Sequence, residues 1–161
     1  MKTLIYFFIF ISVHVVVFSQ TKLRDGIYLI DQSEKRSVTP SDRAFIQYNP
    51  FFVEDEPENY DPIAVNTSDF VPLELADMPI IQHRKDQQNT LLVRLTESAT
   101  EKLREFTSRN MLNYIVVVVN DQALAVYKVI EPVNSGFIKV AKCNDDACNQ
   151  IYRRLKNTVK I

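Results

Sequence analysis

Few side chains in this sequence have the chemistry that catalysis or metal binding requires. After the first 20 residues the chain contains one histidine, His83. A nucleophile needs a base beside it, and a transition-metal site needs several His or Cys ligands, but no Cys or second His lies near His83 in the sequence. The chain also lacks Gly-x-Ser-x-Gly, His-Glu-x-x-His and glycine-rich phosphate-binding motifs. The sequence therefore predicts no catalytic residue, metal or cofactor, and we interpret His83 as a surface residue.

Carboxylates are most concentrated between Glu54 and Pro62, where the sequence reads Glu-Asp-Glu-Pro-Glu-Asn-Tyr-Asp-Pro. Closely spaced carboxylates suit a hard cation such as Ca²⁺. The spacing does not match the twelve-residue calcium-binding loop, and no glycine supplies the sharp turn of that loop. A solvated acidic loop is the favoured interpretation, and the sequence leaves open whether Glu54 to Asp61 binds an ion.

The first 20 residues differ in composition from the rest of the chain. Lys2 is the only charged residue among them, and residues 4–18 are apolar apart from three positions. This basic start and apolar run, ending at the small residue Ser19, follow the pattern of a secretory signal. The run is shorter than the roughly 20 residues that a bilayer core requires, so a signal cleaved after residues 1–19 is favoured over an uncleaved anchor. The sequence thus predicts a periplasmic or secreted protein with no stable membrane insertion after cleavage.

Cys143 and Cys148 are the only cysteines in the chain. Two cysteines in an exported protein most often form a disulfide bond. The four residues between them span the expected start of a helix, so the bond requires Cys143 to lie outside that helix. A redox-active pair more typically has Cys-x-x-Cys spacing, and two thiols are too few for structural zinc. We predict a disulfide bond.

Two helices are expected from capping residues and apolar periodicity. Thr96 is a good N-cap for the first, because its hydroxyl can accept from a free N–H group of the first turn. Ala99, Leu103 and Phe106 then form one apolar stripe. Asn144 or Asp145 is expected to cap a final helix, which carries its apolar residues on one face: Cys148, Ile151, Tyr152, Leu155 and Val159.

Strands are predicted around these helices by short apolar runs. Residues 114–119 form the clearest run, because five of the six are β-branched, and they are predicted to be a central strand buried on both faces. Residues 65–75 are expected to link into a strand, and Asn120-Asp121 is a turn signal. The other predicted strands are 26–30, 43–48, 91–95, 123–130 and 137–140.

This order of elements, from Leu92 to Gly136, resembles the periplasmic P1 head subdomain of SecD, the bacterial protein-export accessory subunit (SecDF in fused forms). Leu95-Thr96 stands at the helix entry of the family pattern, and Thr107 and Asn110 stand at the helix end. Ile115 to Val119 matches its Ile-Val-Leu strand. Several turn residues depart from the pattern: Leu112-Asn113 replaces Gly-Lys, Asn120-Asp121 replaces Asp-Gly, Tyr127 replaces Pro and Ser135 replaces Gly.

The resemblance implies an α+β fold in which two main helices pack on one face of a mostly antiparallel sheet of the split β-α-β type. It also implies a division of the chain. Residues 1–19 would be the signal peptide, residues 20–75 the N-terminal strands with the acidic loop, and residues 76–161 the head-like domain. SecD couples to the ion gradient through membrane helices that this chain lacks, and the family has no catalytic residues in this subdomain.

The function implied by the resemblance is that of a non-enzymatic, extracytoplasmic binding module with a protein partner, either an exported or unfolded chain or an envelope protein. The 19 basic and 20 acidic residues nearly cancel, so no nucleic-acid partner is expected. An extended chain could add to a sheet edge, for which the candidate contact residues are Val126, Lys128, Ile130, Phe137 and Lys139. The alternative is that these edges are covered. A structural or inhibitory exported domain is the competing function, an enzyme is least favoured, and the oligomeric state is left open.

Overall fold

The computed structural model describes residues 22–31, 42–48, 62–83, 89–157 and 159. The predicted signal peptide and the acidic loop from Glu54 to Asp61 lie outside these residues. In the described part the element order is β1 (Gly26–Ile30), β2 (Arg43–Tyr48), β3 (Ile63–Pro72), β4 (Ile80–Gln82), β5 (Asn89–Arg94), α1 (Glu97–Arg109), β6 (Tyr114–Val119), β7 (Gln122–Lys128), β8 (Phe137–Cys143) and α2 (Asp145–Lys156).

The strands form two sheets. Five of them close into a barrel in the order β1-β3-β2-β7-β6, and the other three form a sheet in the order β4-β5-β8. Strand pairing is antiparallel except between β2 and β7, which run parallel over Gln47–Gln122 and Tyr48–Ala123. The predicted α+β class, with mostly antiparallel strands and two helices, is confirmed.

Both helices begin at caps that the sequence identified. The Thr96 side chain accepts a hydrogen bond from the Ala99 N–H at the start of α1, and the Asn144 side chain accepts from Ala147 at the start of α2. These acceptors satisfy N–H groups that have no partner within the helix. The stripe of Ala99, Leu103 and Phe106 is buried. Of the face predicted for α2, Cys148, Ile151 and Leu155 are buried, whereas Val159 lies beyond the helix end.

The core consists of two clusters separated by β6. Alternate residues of this strand enter different clusters: Ile115, Val117 and Val119 pack in the larger one, against the helices and the three-stranded sheet. Val116 and Val118 point into the smaller cluster inside the barrel, with Tyr28, Ile46, Val65 and Ala123. Because β6 also pairs with β1 on one edge and β7 on the other, the prediction of a central strand buried on both faces is confirmed.

Barrel closure is the main feature that the sequence did not predict. It depends on β3, which pairs with both β1 and β2. The prediction treated residues 65–75 as a link into a strand, whereas β3 runs from Ile63 to Pro72 and includes the polar run from Asn66 to Asp69. The predicted domain boundary after residue 75 stays a prediction. β1 pairs with β6 across it, and Leu75 itself bridges to Leu95 and Val159.

The two turns that flank β6 use left-handed backbone. Asn120 and Asp121, with φ of 56° and 60°, join β6 to β7, as expected for a tight hairpin that needs positive φ at both central residues. Leu112, between α1 and β6, has φ of 66°. Asn and Asp tolerate this conformation, but a leucine held there costs about 1–2 kcal/mol.

Candidate polypeptide-binding groove

A groove lies between an edge of the barrel and an edge of the three-stranded sheet. Among the described residues, β7 pairs with β2 through Gln122 and Ala123 alone, and its C-terminal half pairs with β6 on one side. β8 likewise pairs with β5 on one side and ends its sheet. We use "the groove" for the space between these two edges, which is lined by residues of both strands and of the segment that joins them.

The groove is an apolar cavity of about 270 Å³. Its floor comes from buried side chains of three elements: Ile27 of β1, Leu103 of α1, and Ile115 and Val117 of β6. Drug-sized ligands generally occupy cavities of about 300–1,000 Å³, so this space suits one or two large side chains of a polypeptide better than a complete cofactor.

The rim of the groove combines exposed apolar side chains with charges. Ile130 is 71% exposed and Phe137 is 57% exposed, and they stand on opposite walls. Lys128, Lys139 and Glu131 complete the rim. The Lys128 ammonium lies 5.9 Å from the centre of the Tyr114 ring, a cation–π contact that orients the lysine. The rim therefore offers apolar surface and charges of both signs.

Tyr127 connects the two walls. Its hydroxyl donates a hydrogen bond to the backbone carbonyl of Lys139, which belongs to β8. Burial raises the pKa of Tyr127 to about 12, and the nearby Tyr48 adds to this rise. A neutral tyrosine hydroxyl is a hydrogen-bond donor, so Tyr127 partly satisfies the β8 edge and links the two walls.

The structure brings together four of the five predicted contact residues: Lys128, Ile130, Phe137 and Lys139 all line the groove. Val126 does not. It packs against the cluster inside the barrel, where it stands opposite Val116. That these residues contact a polypeptide stays a prediction. The sequence reasoning missed Tyr127 as a groove residue, and its only signal was a tyrosine where the resembled pattern has proline.

The predicted Cys143–Cys148 pair lies at the far end of β8. The two residues are disulfide-bonded with 5.3 Å between their Cα atoms. Cys143 is the last residue of β8 and Asn144 is the N-cap of α2, so Cys143 lies outside the helix as the bond requires. The bond links a groove strand to α2, and both cysteines are buried.

His83 is exposed at the end of β4, away from the groove. Its Nδ1 lies 3.2 Å from the side-chain oxygen of Asn89, and the Asn89 amide donates to Asp145. Because Asn89 presents its oxygen to the ring, Nδ1 is the donor. The described residues contain no group of three or more His, Cys, Asp and Glu side chains placed to hold a metal ion. Among the same residues no helix is long and apolar enough to cross a membrane.

Comparison with known proteins gives similarity in fold. No family model matches the sequence, and no curated protein matches it. The crystal structure of SecDF in its super-membrane-facing form matches with a TM-score of 0.51 and 13% identity, over 83% of this chain and 18% of that chain. This chain has a SecDF-like fold. A second structure, described as a membrane component SecDF that enhances protein export, has a TM-score of 0.49 and 14% identity, over 83% of this chain and 63% of that chain.

The SecDF-like fold confirms the resemblance at the level of architecture. This chain spans less than a fifth of the first SecDF chain and less than two thirds of the second. Two of the departures in turn residues, Leu112 and Asp121, stand where the resembled pattern has glycine, and both have positive φ, a conformation that glycine adopts readily.

Proposed function

We propose that this protein is a non-enzymatic, extracytoplasmic binding module that holds an extended segment of an exported or envelope protein in the groove. The observation that carries the proposal is the pair of sheet edges, β7 and β8, on either side of an apolar cavity. An extended chain can add its backbone to such an edge while a side chain enters the cavity.

The cavity and rim support a polypeptide as the bound partner. A volume of about 270 Å³ accommodates apolar side chains, and Ile130 and Phe137 extend the apolar surface outward from it. An apolar cavity bordered by exposed apolar side chains is typical of an interaction site. Main-chain pairing is independent of sequence, so the groove would select for an extended conformation and for large apolar residues rather than for one motif.

The setting of the protein is part of the same proposal. The N-terminal sequence has the pattern of a secretory signal, and a disulfide bond such as Cys143–Cys148 persists in oxidising compartments outside the cytoplasm. The SecDF-like fold supports a partner connected with protein export. Fold alone does not establish function, so the partner has to be tested directly.

The test uses the chain from Gln20 onward, which retains every helix and strand that the structure describes. Fluorescence anisotropy measures its binding to labelled lactalbumin that has been reduced and carboxymethylated, a chain that cannot fold. We expect saturable binding, weakened about tenfold or more when Ile130→Asp and Phe137→Asp place charges on the groove walls.

Phe45→Asp is the matched control, because Phe45 is 64% exposed on β2 and does not line the groove. We expect its affinity to equal that of the unmodified chain. Absence of binding to the unfolded probe would contradict the proposal and favour a structural or inhibitory domain. Equal weakening by the control and the groove variants would contradict the assignment to the groove.

A further inference from the structure

Beside the groove, three exposed apolar side chains form a second feature, which we call the knob: Met111, Leu112 and Ile130. Leu112 is 68% exposed and Met111 is 38% exposed. The Leu112 N–H donates to the Val129 carbonyl at 2.8 Å, and that carbonyl belongs to the peptide group joining Val129 to Ile130. The knob therefore stands at one end of the β6–β7 pair, and Ile130 belongs to both the knob and the groove rim.

Leu112 is a costly residue at this position. Its φ of 66° is an outlier for a bulky side chain, and glycine or asparagine would make the same turn with less strain. The exposed side chain gains little burial within the described structure to offset that strain. Backbone hydrogen bonds of the fold hold this turn, but they do not require a leucine. A strained outlier of this kind motivates a functional hypothesis, and for an exposed leucine that hypothesis is contact with another molecule.

We infer that this molecule is a second copy of the chain, and that Leu112 and Ile130 of each copy pack into the groove of the other in a two-fold dimer. A two-fold interface requires a surface that is complementary to itself. The knob and the groove meet this requirement because one projects, the other is recessed, both are apolar, and they share a border at Ile130.

The charges on the rim support the same partner. Lys128, Lys139 and Glu131 surround the groove, and a two-fold arrangement of such a mixed rim can set the glutamate of one copy against a lysine of the other. Complementary charges at the rim favour the correct pairing of two surfaces. Self-association would cover the groove, so the dimer and a bound polypeptide would compete for it.

Sedimentation velocity on the chain from Gln20 onward, over about a hundredfold range of concentration, tests the inference. We expect a reversible monomer–dimer equilibrium that stops at the dimer. Leu112→Asn keeps a residue that tolerates left-handed backbone but removes the apolar side chain, and it should weaken dimerisation about tenfold or more. Phe45→Ser, which removes an equally exposed apolar side chain elsewhere, should leave dimerisation unchanged.

Two charge variants test the rim without depending on the apolar contacts. Glu131→Lys makes the rim entirely basic, and Lys128→Glu combined with Lys139→Glu makes it entirely acidic, so each protein alone should dimerise less than the unmodified chain. Mixing the two should restore a dimer containing one copy of each. A monomer at every concentration, growth beyond the dimer, an unchanged Leu112→Asn variant or a mixture that stays monomeric would each overturn the inference. Because no polypeptide is present, these results are independent of the unfolded-protein binding test.

Discussion

The turns at the two ends of β6 both use left-handed backbone but differ in the contacts that their residues make. At the β6–β7 turn, the Asn120 N–H donates to Asp25 at 2.8 Å, and the Asp121 carboxylate accepts from the Leu23 N–H at 2.6 Å. At the other end, Leu112 presents an exposed apolar side chain to solvent. The first turn is tied to the chain's own N-terminal segment, and the second borders the groove.

We interpret this difference as one between a turn that stabilises the fold and a turn whose side chain is available for contact. Asn120 and Asp121 tolerate positive φ and take part in hydrogen bonds that close the barrel end, so their turn is explained within the fold. Leu112 adds strain and adds no buried surface of comparable size. A single exposed apolar residue is ordinary, whereas one that also occupies strained backbone motivates a functional hypothesis.

Asp25→Ala should have the largest effect, because it removes the carboxylate that accepts from the Asn120 N–H at the β6–β7 turn. Asp25 accepts from Asn120 and also from Arg154 of α2 at 3.2 Å. Loss of a largely buried, charged acceptor leaves these donors without their partner, so we expect the free energy of unfolding to fall by about 2 kcal/mol. Urea denaturation measures it, and a change within about 0.5 kcal/mol, as at an ordinary surface site, would contradict a structural role for this end.

Leu112→Asn, at the turn between α1 and β6, should raise the free energy of unfolding rather than lower it. Relief of the left-handed strain should raise the free energy of unfolding by up to about 1 kcal/mol, measured by urea denaturation at a concentration low enough to keep the protein monomeric. Met111→Asn is the matched control, because it removes a neighbouring exposed side chain outside the positive-φ position. If Leu112→Asn destabilises the protein, Leu112 contributes to the fold itself and the contrast between the two turns fails.

The smallest expected effect is a pH dependence from Tyr127. Its pKa is about 12 in the folded protein and ordinarily about 10 in an unfolded chain. The raised pKa means that the folded state favours neutral tyrosine, so this stabilisation is complete below pH 10 and is lost as the pH rises towards 12. Between pH 9 and pH 11, Tyr127 ionises in the unfolded chain but stays neutral in the folded protein, given its pKa of about 12. Urea denaturation should therefore show that the free energy of unfolding falls less over this range for Tyr127→Phe than for the unmodified chain.

The comparison with Tyr127→Phe has to allow for a second tyrosine. Burial also raises the pKa of Tyr28 to about 12, and this residue lies inside the barrel. Tyr127→Phe should therefore reduce the pH dependence without removing it. If the free energy of unfolding changes equally with pH in the two proteins, the pKa of Tyr127 is the same in the folded and the unfolded chain, which would contradict its burial at the groove.

Residues whose local and tertiary roles agree were predictable from the sequence. The run from Ile115 to Val119 is β-branched and is buried on both faces, and Thr96 is both a good capping residue and an observed cap. The spacing of Cys143 and Cys148 across a helix start also predicted the geometry that allows their bond. In these cases the nearest neighbours in sequence determine the structure.

Features that depend on distant contacts were not predictable in the same way. β3 has a polar centre, and its strand conformation comes from pairing with β1 and β2. The groove joins β7 and β8 through a tyrosine hydroxyl and a backbone carbonyl, an arrangement for which no sequence pattern exists. Val126 was predicted at a possible contact edge, and the structure packs it against the cluster inside the barrel. Alternation along one strand does not reveal that the strand contributes to two cores.

Hydrogen exchange measured with and without the unfolded lactalbumin probe tests most directly the claim that the groove binds extended polypeptide. Strand addition gives a partner to the backbone amides of β7 and β8 that do not already donate to β6 or β5. Those amides within residues 124–128 and 138–140 should therefore gain protection when the probe is present. The protection of the Asn120 amide, in the β6–β7 turn, should not change. Protection absent from both groove strands, or confined to the other edge of the three-stranded sheet at β4, would contradict the account.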